Sequence, residues 1–237
     1  AALAVGRGDG ERPGRLCIVG LGPGDGRHRT PAAVAAVRGA DAVVGYGPYV
    51  DAVEPLLRPD QLVVRGAMGQ EADRARAALA LARSGWQVAL VSSGDPGVFA
   101  MASTTLDVAG EGCDVDIEIV PGVTAAHAAA AAAGAALSGP HALLSLSDLH
   151  VPWSTIEAQL TAAAAAGLGL ALYNPRSAGR PDNLGQARNV LVAALGAAAP
   201  VVVVTDATGP EQSVVHTTLG SLDPSVVGMR SIVLVGT

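Results

Sequence analysis

The chain has 237 residues, of which 50% are hydrophobic and 15% are charged, and its formal net charge at pH 7 is −6. This composition excludes a largely disordered chain and supplies a sizeable core, in one large or two small domains. The acidic balance argues against a nucleic-acid-binding protein. No apolar run reaches the roughly 18 residues that span a bilayer. We therefore expect a soluble, cytoplasmic protein that binds neither nucleic acid nor membranes.

The sequence contains no lysine, so all 15 of its Lys and Arg residues are arginines. This excludes a lysine Schiff base, a P-loop lysine and a lysine general base. An anionic substrate would be bound by guanidinium groups, which pair with carboxylates in a bidentate fashion. The cysteines Cys17 and Cys113 predict neither a disulfide framework nor a zinc site. The histidines lack metal-ligand spacing, and we expect no metal.

The N-terminal half alternates between strand and helix patterns. Residues 1–14 are rich in glycine, arginine and small residues and predict a linker or a disordered arm. Strands are predicted at residues 16–21, 42–45, 61–64, 87–91 and 116–120. Thr30-Pro31 predicts a helix start, because a capping residue precedes a proline at the first helical position. The alternation predicts an N-terminal α/β domain at residues 15–121 with a parallel five-stranded sheet.

The helix predicted at residues 70–84 carries three arginines. We expect Arg74, Arg76 and Arg83 on its solvent-exposed face.

The C-terminal half resumes the alternation after Pro121-Gly122, which we take as the boundary of a second α/β domain at residues 122–237. Helices are predicted at residues 124–133, 154–166 and 183–195, and strands at residues 142–145, 168–173, 201–205, 212–218 and 231–235. The segment 220–228 has little room for a helical crossover. The last two strands are therefore predicted to form an antiparallel pair, which makes this five-stranded sheet mixed.

The first glycine-rich loop is GLGPGD at residues 20–25, directly after the first predicted strand. A dinucleotide-binding fingerprint would need glycine at position 25, where Asp25 stands, and Pro23 lacks the N–H group that a phosphate would use. The loop is either a functional loop or a tight strand-to-helix turn.

The loop SSGDPG at residues 92–97 follows the fourth predicted strand. In a parallel sheet this is a carboxyl-end loop, where open α/β folds bind ligands. Asp95 could accept hydrogen bonds from ribose hydroxyls or from an ammonium group of a cofactor. The alternative is an ordinary Asp-Pro-Gly turn.

Two further motifs each admit a functional and a structural interpretation. In PGVTAA at residues 121–126, Thr124 can cap a helix whose small residues admit a flat ligand, or the segment is a hinge before a core helix. In YNPR at residues 173–176, Asn174 could bind an adenine edge and Arg176 a carboxylate, or the segment is a solvated loop.

The four motifs in this order, GLGPGD, SSGDPGVF, PGVTAA and LYNPRS, resemble the tetrapyrrole methylase family over residues 16–237. Three further stretches resemble the subgroup that methylates carbon 17 of precorrin-3B. They are GYGPYVD at residues 45–51, the GQE segment after Met68, and SLSDL at residues 145–149 followed by Pro152-Trp153. The loop TDATG at residues 205–209 departs from the family pattern, in which Arg-Asn often begins this loop.

The resemblance implies two α/β domains with the active site in the cleft between them, a homodimer, and S-adenosylmethionine as the cofactor. It implies methylation of carbon 17 of precorrin-3B, with ring contraction to precorrin-4, in cobalamin biosynthesis. The 14-residue lead further suggests that the chain is the C-terminal half of a fusion with a carbon-20 methyltransferase.

The resemblance also assigns site residues in this chain. Cofactor contacts are expected from Pro23, Ser93, Gly94, Asp95, Val98, Phe99, Thr124, Ala125, Tyr173, Asn174, Val204 and Thr205. Substrate contacts are expected from Gly22, Arg27, Arg29, Arg65, Met68, Arg176 and Arg180. Candidates for the proton transfers of ring contraction are Asp25, Tyr46 and Asp148.

Three alternatives remain open at this point. A sister methylase would act at another carbon or on a cobalt-containing precorrin. A nicotinamide-dependent oxidoreductase is disfavoured by the spacing of the glycines and by Pro23. A non-catalytic corrinoid-binding module would bind the tetrapyrrole without S-adenosylmethionine.

Overall fold

The computed structural model describes residues 13–236. Residues 1–12 of the predicted linker lie outside the described residues. Pro13 and Gly14 do not belong to an arm, because they pack on the N-terminal unit. The Pro13 carbonyl accepts a hydrogen bond from Gln87 Nε2 at 3.0 Å. A Cβ on Gly14 would lie 1.7 Å from the Ala82 carbonyl oxygen, which shows how closely the chain packs here.

The N-terminal unit ends at Thr124, slightly beyond the boundary predicted at residue 121. Its strands are β1 (Arg15–Gly20), β2 (Ala42–Tyr46), β3 (Leu62–Gly66), β4 (Gln87–Ser92) and β5 (Asp116–Val120). Its helices are α1 (Pro31–Gly39), α2 (Gly47–Val53), α3 (Glu71–Arg83) and α4 (Met101–Ala109), with 3-10 turns at Gly26–His28 and Glu54–Leu56. The strands are all parallel in the order β3-β2-β4-β1-β5, which confirms the predicted parallel five-stranded sheet.

The core of this unit lies on both faces of the sheet, because alternate residues of each strand point to opposite sides. Leu16 and Ile18 of β1 pack into one buried cluster with residues of α3 and α4. Val19 packs into a second cluster with residues of α1 and α2. Thr30 caps α1 as predicted, since its side chain accepts a hydrogen bond from the Ala33 N–H at 3.1 Å.

The prediction that three arginines lie on the solvent-exposed face of α3 is correct for two of them and wrong for the third. The side chains of Arg76 and Arg83 are 63% and 46% exposed. Arg74, in contrast, is only 7% exposed. Its stem packs against Gly66, where any side chain would collide with it. The absence of a side chain on a neighbouring strand therefore allows this cation to be buried.

The C-terminal unit begins at Ala125. Its strands are β6 (His141–Ser145), β7 (Gly169–Tyr173), β8 (Pro200–Thr205), β9 (Ser213–Thr218) and β10 (Ser231–Val235). Its helices are α5 (Ala125–Ala132), α6 (Trp153–Ala165) and α7 (Asn183–Leu195), with a 3-10 turn at Pro224–Val226. The sheet order is β6-β7-β10-β8-β9, and β10 runs antiparallel to β7 and β8. The prediction of a mixed five-stranded sheet is thus confirmed.

The predicted pairing of the last two strands is wrong. β9 pairs only with β8 among the described strands, and β10 is inserted between β7 and β8. All five residues of β10 are buried, whereas β9 exposes half of Val215. The apolar strand therefore occupies the centre of the sheet and the more polar strand its edge, which burial favours over a short local hairpin. Among residues 13–236, no helix is long and apolar enough to span a membrane.

Candidate functional site

All the predicted site residues lie at or after the carboxyl ends of strands. In the N-terminal unit they follow β1 (Gly22, Pro23, Asp25, Arg27, Arg29), β2 (Tyr46), β3 (Arg65, Met68), β4 (Ser93, Gly94, Asp95, Val98, Phe99) and β5 (Thr124). In the C-terminal unit they lie at the start of α5 (Ala125) and after β6 (Asp148), β7 (Tyr173, Asn174, Arg176, Arg180) and β8 (Val204, Thr205). In each unit these strands run in the same direction, so their ends share one edge of the sheet.

In the N-terminal unit, backbone hydrogen bonds join the loops after β1 and β4. The Gly22 N–H donates to the Gly94 carbonyl at 3.1 Å, and the Gly94 N–H donates to the Gly22 carbonyl at 2.8 Å. A Cβ on Gly122 would lie 2.2 Å from the Gly94 carbonyl oxygen. The glycines of these motifs are therefore needed for close contact between three loops.

Asp95 fastens the loop after β4 to the loop after β5. Its Oδ1 accepts a hydrogen bond from the Gly97 N–H at 2.8 Å, and its Oδ2 accepts one from the Gly122 N–H at 3.0 Å. A carboxylate has about four acceptor positions, so these two bonds leave capacity for a ligand. Asp95 thus has a bracing role that the sequence did not predict, and its contact with a cofactor stays a prediction.

Asp25 is the cap of the 3-10 turn at Gly26–His28 and pairs with Arg27. Its carboxylate accepts from the Arg27 backbone N–H at 2.8 Å and forms an ion pair with the Arg27 guanidinium at 2.7 Å. The side-chain hydrogen bond from Arg27, followed by the backbone one, holds the pKa of Asp25 below its ordinary value. Asp25 is therefore held in its ionised form, which disfavours a proton donor, and the lowered pKa also makes it a weaker proton acceptor.

Two other predicted substrate-binding arginines have partners within their own unit. Arg29 Nη2 donates to the Ala52 carbonyl at 3.0 Å, and burial lowers the pKa of this guanidinium. Arg65 pairs with Asp51 at 3.1 Å, and both side chains are about half exposed. Exposed pairs contribute only about 0–1 kcal/mol. A substrate carboxylate can therefore compete with Asp51 for Arg65 at small cost.

In the C-terminal unit, side chains join the loops in addition to a backbone bond, in which the Leu146 N–H donates to the Tyr173 carbonyl at 2.9 Å. Asn174 Nδ2 donates to Ser145 Oγ at 3.0 Å, and the Ser147 N–H donates to the same oxygen at 3.2 Å. The Tyr173 hydroxyl accepts a hydrogen bond from the buried Ala126 N–H at 2.9 Å. Ser145 is thus a site residue that sequence reasoning missed, although it begins the SLSDL motif.

The loop after β8 carries a local network of charged groups. The Asp206 carboxylate accepts from the Glu211 N–H at 2.9 Å and lies 3.7 Å from the Arg230 guanidinium, which also pairs with Glu211. Thr205 Oγ1 and Ser231 Oγ are hydrogen-bonded at 2.8 Å. Val204 is fully buried, backbone included, and its contact with a cofactor stays a prediction.

Four of the five described non-glycine residues in the left-handed backbone region lie in the same loops, and the fifth, Ala135, follows α5. Phe99 (φ 51°) follows β4, Asn174 (φ 51°) follows β7, and Asp206 (φ 50°) and Thr208 (φ 68°) follow β8. Non-glycine residues in this region store strain, which in proteins concentrates at functional sites. The strain therefore coincides with three of the loops that the resemblance assigns to the cofactor.

Three further predicted residues, Asp148, Arg176 and Arg180, lie in the segments after β6 and β7. Asp148 is exposed in the segment after β6. Arg176 donates to the carbonyls of Pro181 and Ser225, at 3.2 and 3.3 Å, and so stabilises its own loop. Arg180 Nε is buried and has no hydrogen-bond partner among the described residues. Within residues 13–236, no three His, Cys, Asp or Glu side chains form a group that could hold a metal ion.

A sequence profile of the family Tetrapyrrole (Corrin/Porphyrin) Methylases matches residues 15–223, and the chain belongs to this family. A probable cobalt-factor III C(17)-methyltransferase of Salmonella typhimurium is 40% identical over 93% of this chain and 92% of its own length. A precorrin-3B C(17)-methyltransferase of Sinorhizobium sp is 41% identical over 94% of this chain and 89% of its own. The cobalamin biosynthesis protein CobIJ of Mycobacterium bovis is 41% identical over the whole chain, which spans 47% of CobIJ.

Solved structures agree with this assignment. The crystal structure of the methyltransferase CobJ superposes with a TM-score of 0.90 and 37% identity, over 94% of both chains. A uroporphyrin-III C-methyl transferase from Thermus thermophilus, complexed with S-adenyl homocysteine, superposes with a TM-score of 0.70 and 25% identity, over 94% of this chain and 97% of its own.

Proposed function

We propose that this chain transfers a methyl group from S-adenosylmethionine to carbon 17 of precorrin-3B, with ring contraction to precorrin-4, in cobalamin biosynthesis. The observation that carries the proposal is the near-full-length likeness to two proteins named as C(17)-methyltransferases. The loop arrangement supports it, since the strained and glycine-rich loops follow the carboxyl ends of the strands.

The residues present fit S-adenosylmethionine better than a dinucleotide. This cofactor has a cationic sulfonium and an ammonium group but no phosphate, and it supplies an activated methyl group. Asp25 and Asp95 place carboxylates in the two loops joined at Gly22 and Gly94, where a pyrophosphate would be repelled. The missing N–H of Pro23 is no loss for a ligand without phosphates.

The residues of the chain itself orient the two reactants and transfer protons. Holding a reacting carbon and a methyl group about 3–3.5 Å apart can lower a barrier by ~7–11 kcal/mol at best. Asp25, Tyr46 and Asp148 remain the candidates for the proton transfers of ring contraction. Arg27 and Arg65, whose present partners are carboxylates, are suited to bind the substrate carboxylates.

A second candidate function is the same methylation on a cobalt-containing substrate. The Salmonella relative is named for cobalt-factor III, and its identity to this chain is nearly the same as that of the precorrin-3B enzyme. The two functions differ in the metal of the substrate and not in the carbon that is methylated.

Four further features belong to this proposal. The match of the whole chain to about half of CobIJ supports a native fusion to a further segment, and the identity of that segment as a carbon-20 methyltransferase stays a prediction. The position of the site between the two units, the homodimer and the cytoplasmic location stay predictions.

The test begins with calorimetric titration of the purified chain with S-adenosylhomocysteine, and with NADH as the control ligand. We expect micromolar binding of S-adenosylhomocysteine and no binding of NADH.

The chain is then incubated with S-adenosylmethionine and either precorrin-3B or cobalt-factor III, and the position of the new methyl group is determined by NMR. A methyl group at another carbon would indicate a sister methylase. Absence of S-adenosylhomocysteine binding by the folded chain, together with tetrapyrrole binding, would favour the non-catalytic module.

A further inference from the structure

Arg74 is a buried cation in a unit whose other described arginines are more exposed. Its side chain is 7% exposed, although Arg76, two residues further along α3, is 63% exposed. Removing a guanidinium from water is costly, and proteins compensate for it with specific hydrogen bonds. The partners of Arg74 therefore indicate what its burial achieves.

Those partners hold the turn that follows β3. Arg74 Nη1 donates to the Ala67 carbonyl at 2.6 Å, and Nη2 donates to Glu71 Oε1 at 3.1 Å. The Ala67 N–H in turn donates to Gln70 Oε1 at 3.0 Å. Both backbone polar groups of Ala67 are thus bound by side chains at the start of α3, and the turn cannot shift without breaking these bonds.

The turn presents an apolar side chain to solvent. Met68 is 62% exposed, and the next residue, Gly69, has φ +78°, a conformation that glycine adopts without strain. The Arg74 guanidinium also contacts Met101 Sδ at 3.8 Å, and Met101 begins α4 directly after the loop that exposes half of Phe99. The buried cation therefore holds the turn of Met68 by a short hydrogen bond, whereas its contact with the segment after Phe99 is a weak sulfur contact, against which a methionine at position 74 could still pack.

We infer that Arg74 is a positioning residue for the tetrapyrrole, because its guanidinium holds the turn that carries Met68. Met68 then offers a fixed thioether to the apolar face of the macrocycle, which costs less binding free energy than ordering a mobile turn. This inference rests on the proposed function and adds to it a residue that binds no ligand itself.

The experiment compares Arg74→Met with the matched variant Arg76→Met on the same helix. Arg74→Met removes the donors and keeps an apolar stem. We expect it to raise KM for the tetrapyrrole roughly tenfold, with kcat and the Kd for S-adenosylhomocysteine within about twofold of the parent chain. Arg76→Met should change none of the three. Arg74→Lys should recover part of the loss, since an ammonium can reach one of the two acceptors but not both.

A second pair of variants separates positioning from general destabilisation. Gly66→Ala places a Cβ 2.8 Å from the Arg74 stem, and we expect it to raise KM in the same way. Met68→Ala should raise KM in the parent chain but add nothing in the Arg74→Met background, because the two residues act through one contact.

The inference is overturned if the effects of Met68→Ala and Arg74→Met on KM add, if KM stays unchanged, or if cofactor affinity falls as much as substrate affinity. A parent chain that neither binds S-adenosylhomocysteine nor methylates a tetrapyrrole would instead overturn the proposed function, and this role of Arg74 with it.

Discussion

The loops at the carboxyl ends of the strands are held in different ways in the two units. In the N-terminal unit, the backbones of Gly22 and Gly94 bond directly to each other, and Asp95 adds a brace to Gly122. In the C-terminal unit, the Tyr173 hydroxyl and the Ser145 side chain add connections to the backbone bond between Leu146 and Tyr173. The close backbone contact at Gly122 admits no side chain, whereas the side-chain contacts of the C-terminal unit depend on single polar atoms. Substitutions in the two units should therefore destabilise the protein for different physical reasons.

The largest effect is expected for Gly122→Ala. Its Cβ would lie 2.2 Å from the Gly94 carbonyl oxygen, and the neighbouring atoms are backbone atoms that cannot rotate away. We expect a loss of roughly 3 kcal/mol in the free energy of unfolding, at the upper end of the usual range for overpacking. Urea unfolding measures it. Gly39→Ala is the control, since its Cβ would meet no atom within 4 Å, and a normal stability of Gly122→Ala would refute the close contact.

Asp95→Asn should have the next largest effect. The amide keeps one acceptor oxygen but turns its NH₂ group towards one of the two N–H donors, Gly97 or Gly122. Hydrogen bonds to charged groups contribute about 1.5–3 kcal/mol, and we expect a loss of about 2 kcal/mol in unfolding free energy. Calorimetry should also show weaker S-adenosylhomocysteine binding. Asp73→Asn, at an exposed pair with Arg76, is the control. Unchanged stability and affinity would mean that the brace is dispensable.

Tyr173→Phe tests the C-terminal unit. It removes the acceptor of the buried Ala126 N–H without changing the size of the ring. An unsatisfied buried donor costs about 1–3 kcal/mol, and we expect a value near 1 kcal/mol because the first turn of a helix can relax. Thermal unfolding and amide exchange at Ala126 measure the effect. Protection of that amide as strong as in the parent chain would show that the hydroxyl does not hold α5.

The smallest expected effect is a change in the pKa of one of two carboxylates, one in each unit. Asp25 and Asp223 each cap a 3-10 turn and each have a lowered pKa, mainly because of Arg27 for the first and Ser225 for the second. We expect Arg27→Gln to raise the pKa of Asp25 and to leave that of Asp223 in place, as measured by carboxyl-carbon NMR titration. An unchanged pKa of Asp25 would exclude the ion pair.

The sign of the pH dependence follows from these lowered values. Both carboxylates contribute stability above the ordinary Asp pKa of about 3.9, and the contribution is lost as the pH falls through the folded-state pKa. In Arg27→Gln, the contribution of Asp25 to the free energy of unfolding should be smaller at every pH above the ordinary Asp pKa.

Much of this fold could be predicted because its signals are local. Apolar runs bounded by turn residues located the strands, and Thr30-Pro31 located the start of α1. The glycine-rich loops stood out in the sequence because they follow strands. The bond between Asp95 and the Gly122 N–H could not be predicted, since its donor lies 27 residues away along the chain. The same holds for Ser145 and Asn174, which meet only because β6 and β7 are neighbours.

The sequence alone determined the two α/β units, the parallel sheet and the loops that carry the family motifs, because hydrophobic period and turn chemistry act over a few residues. Only the tertiary structure decided that β10 separates β7 from β8 and that Arg74 is buried. Strand order depends on which surfaces are buried together, and the burial of Arg74 depends on the space above Gly66. Both are consequences of long-range packing, which no local pattern encodes.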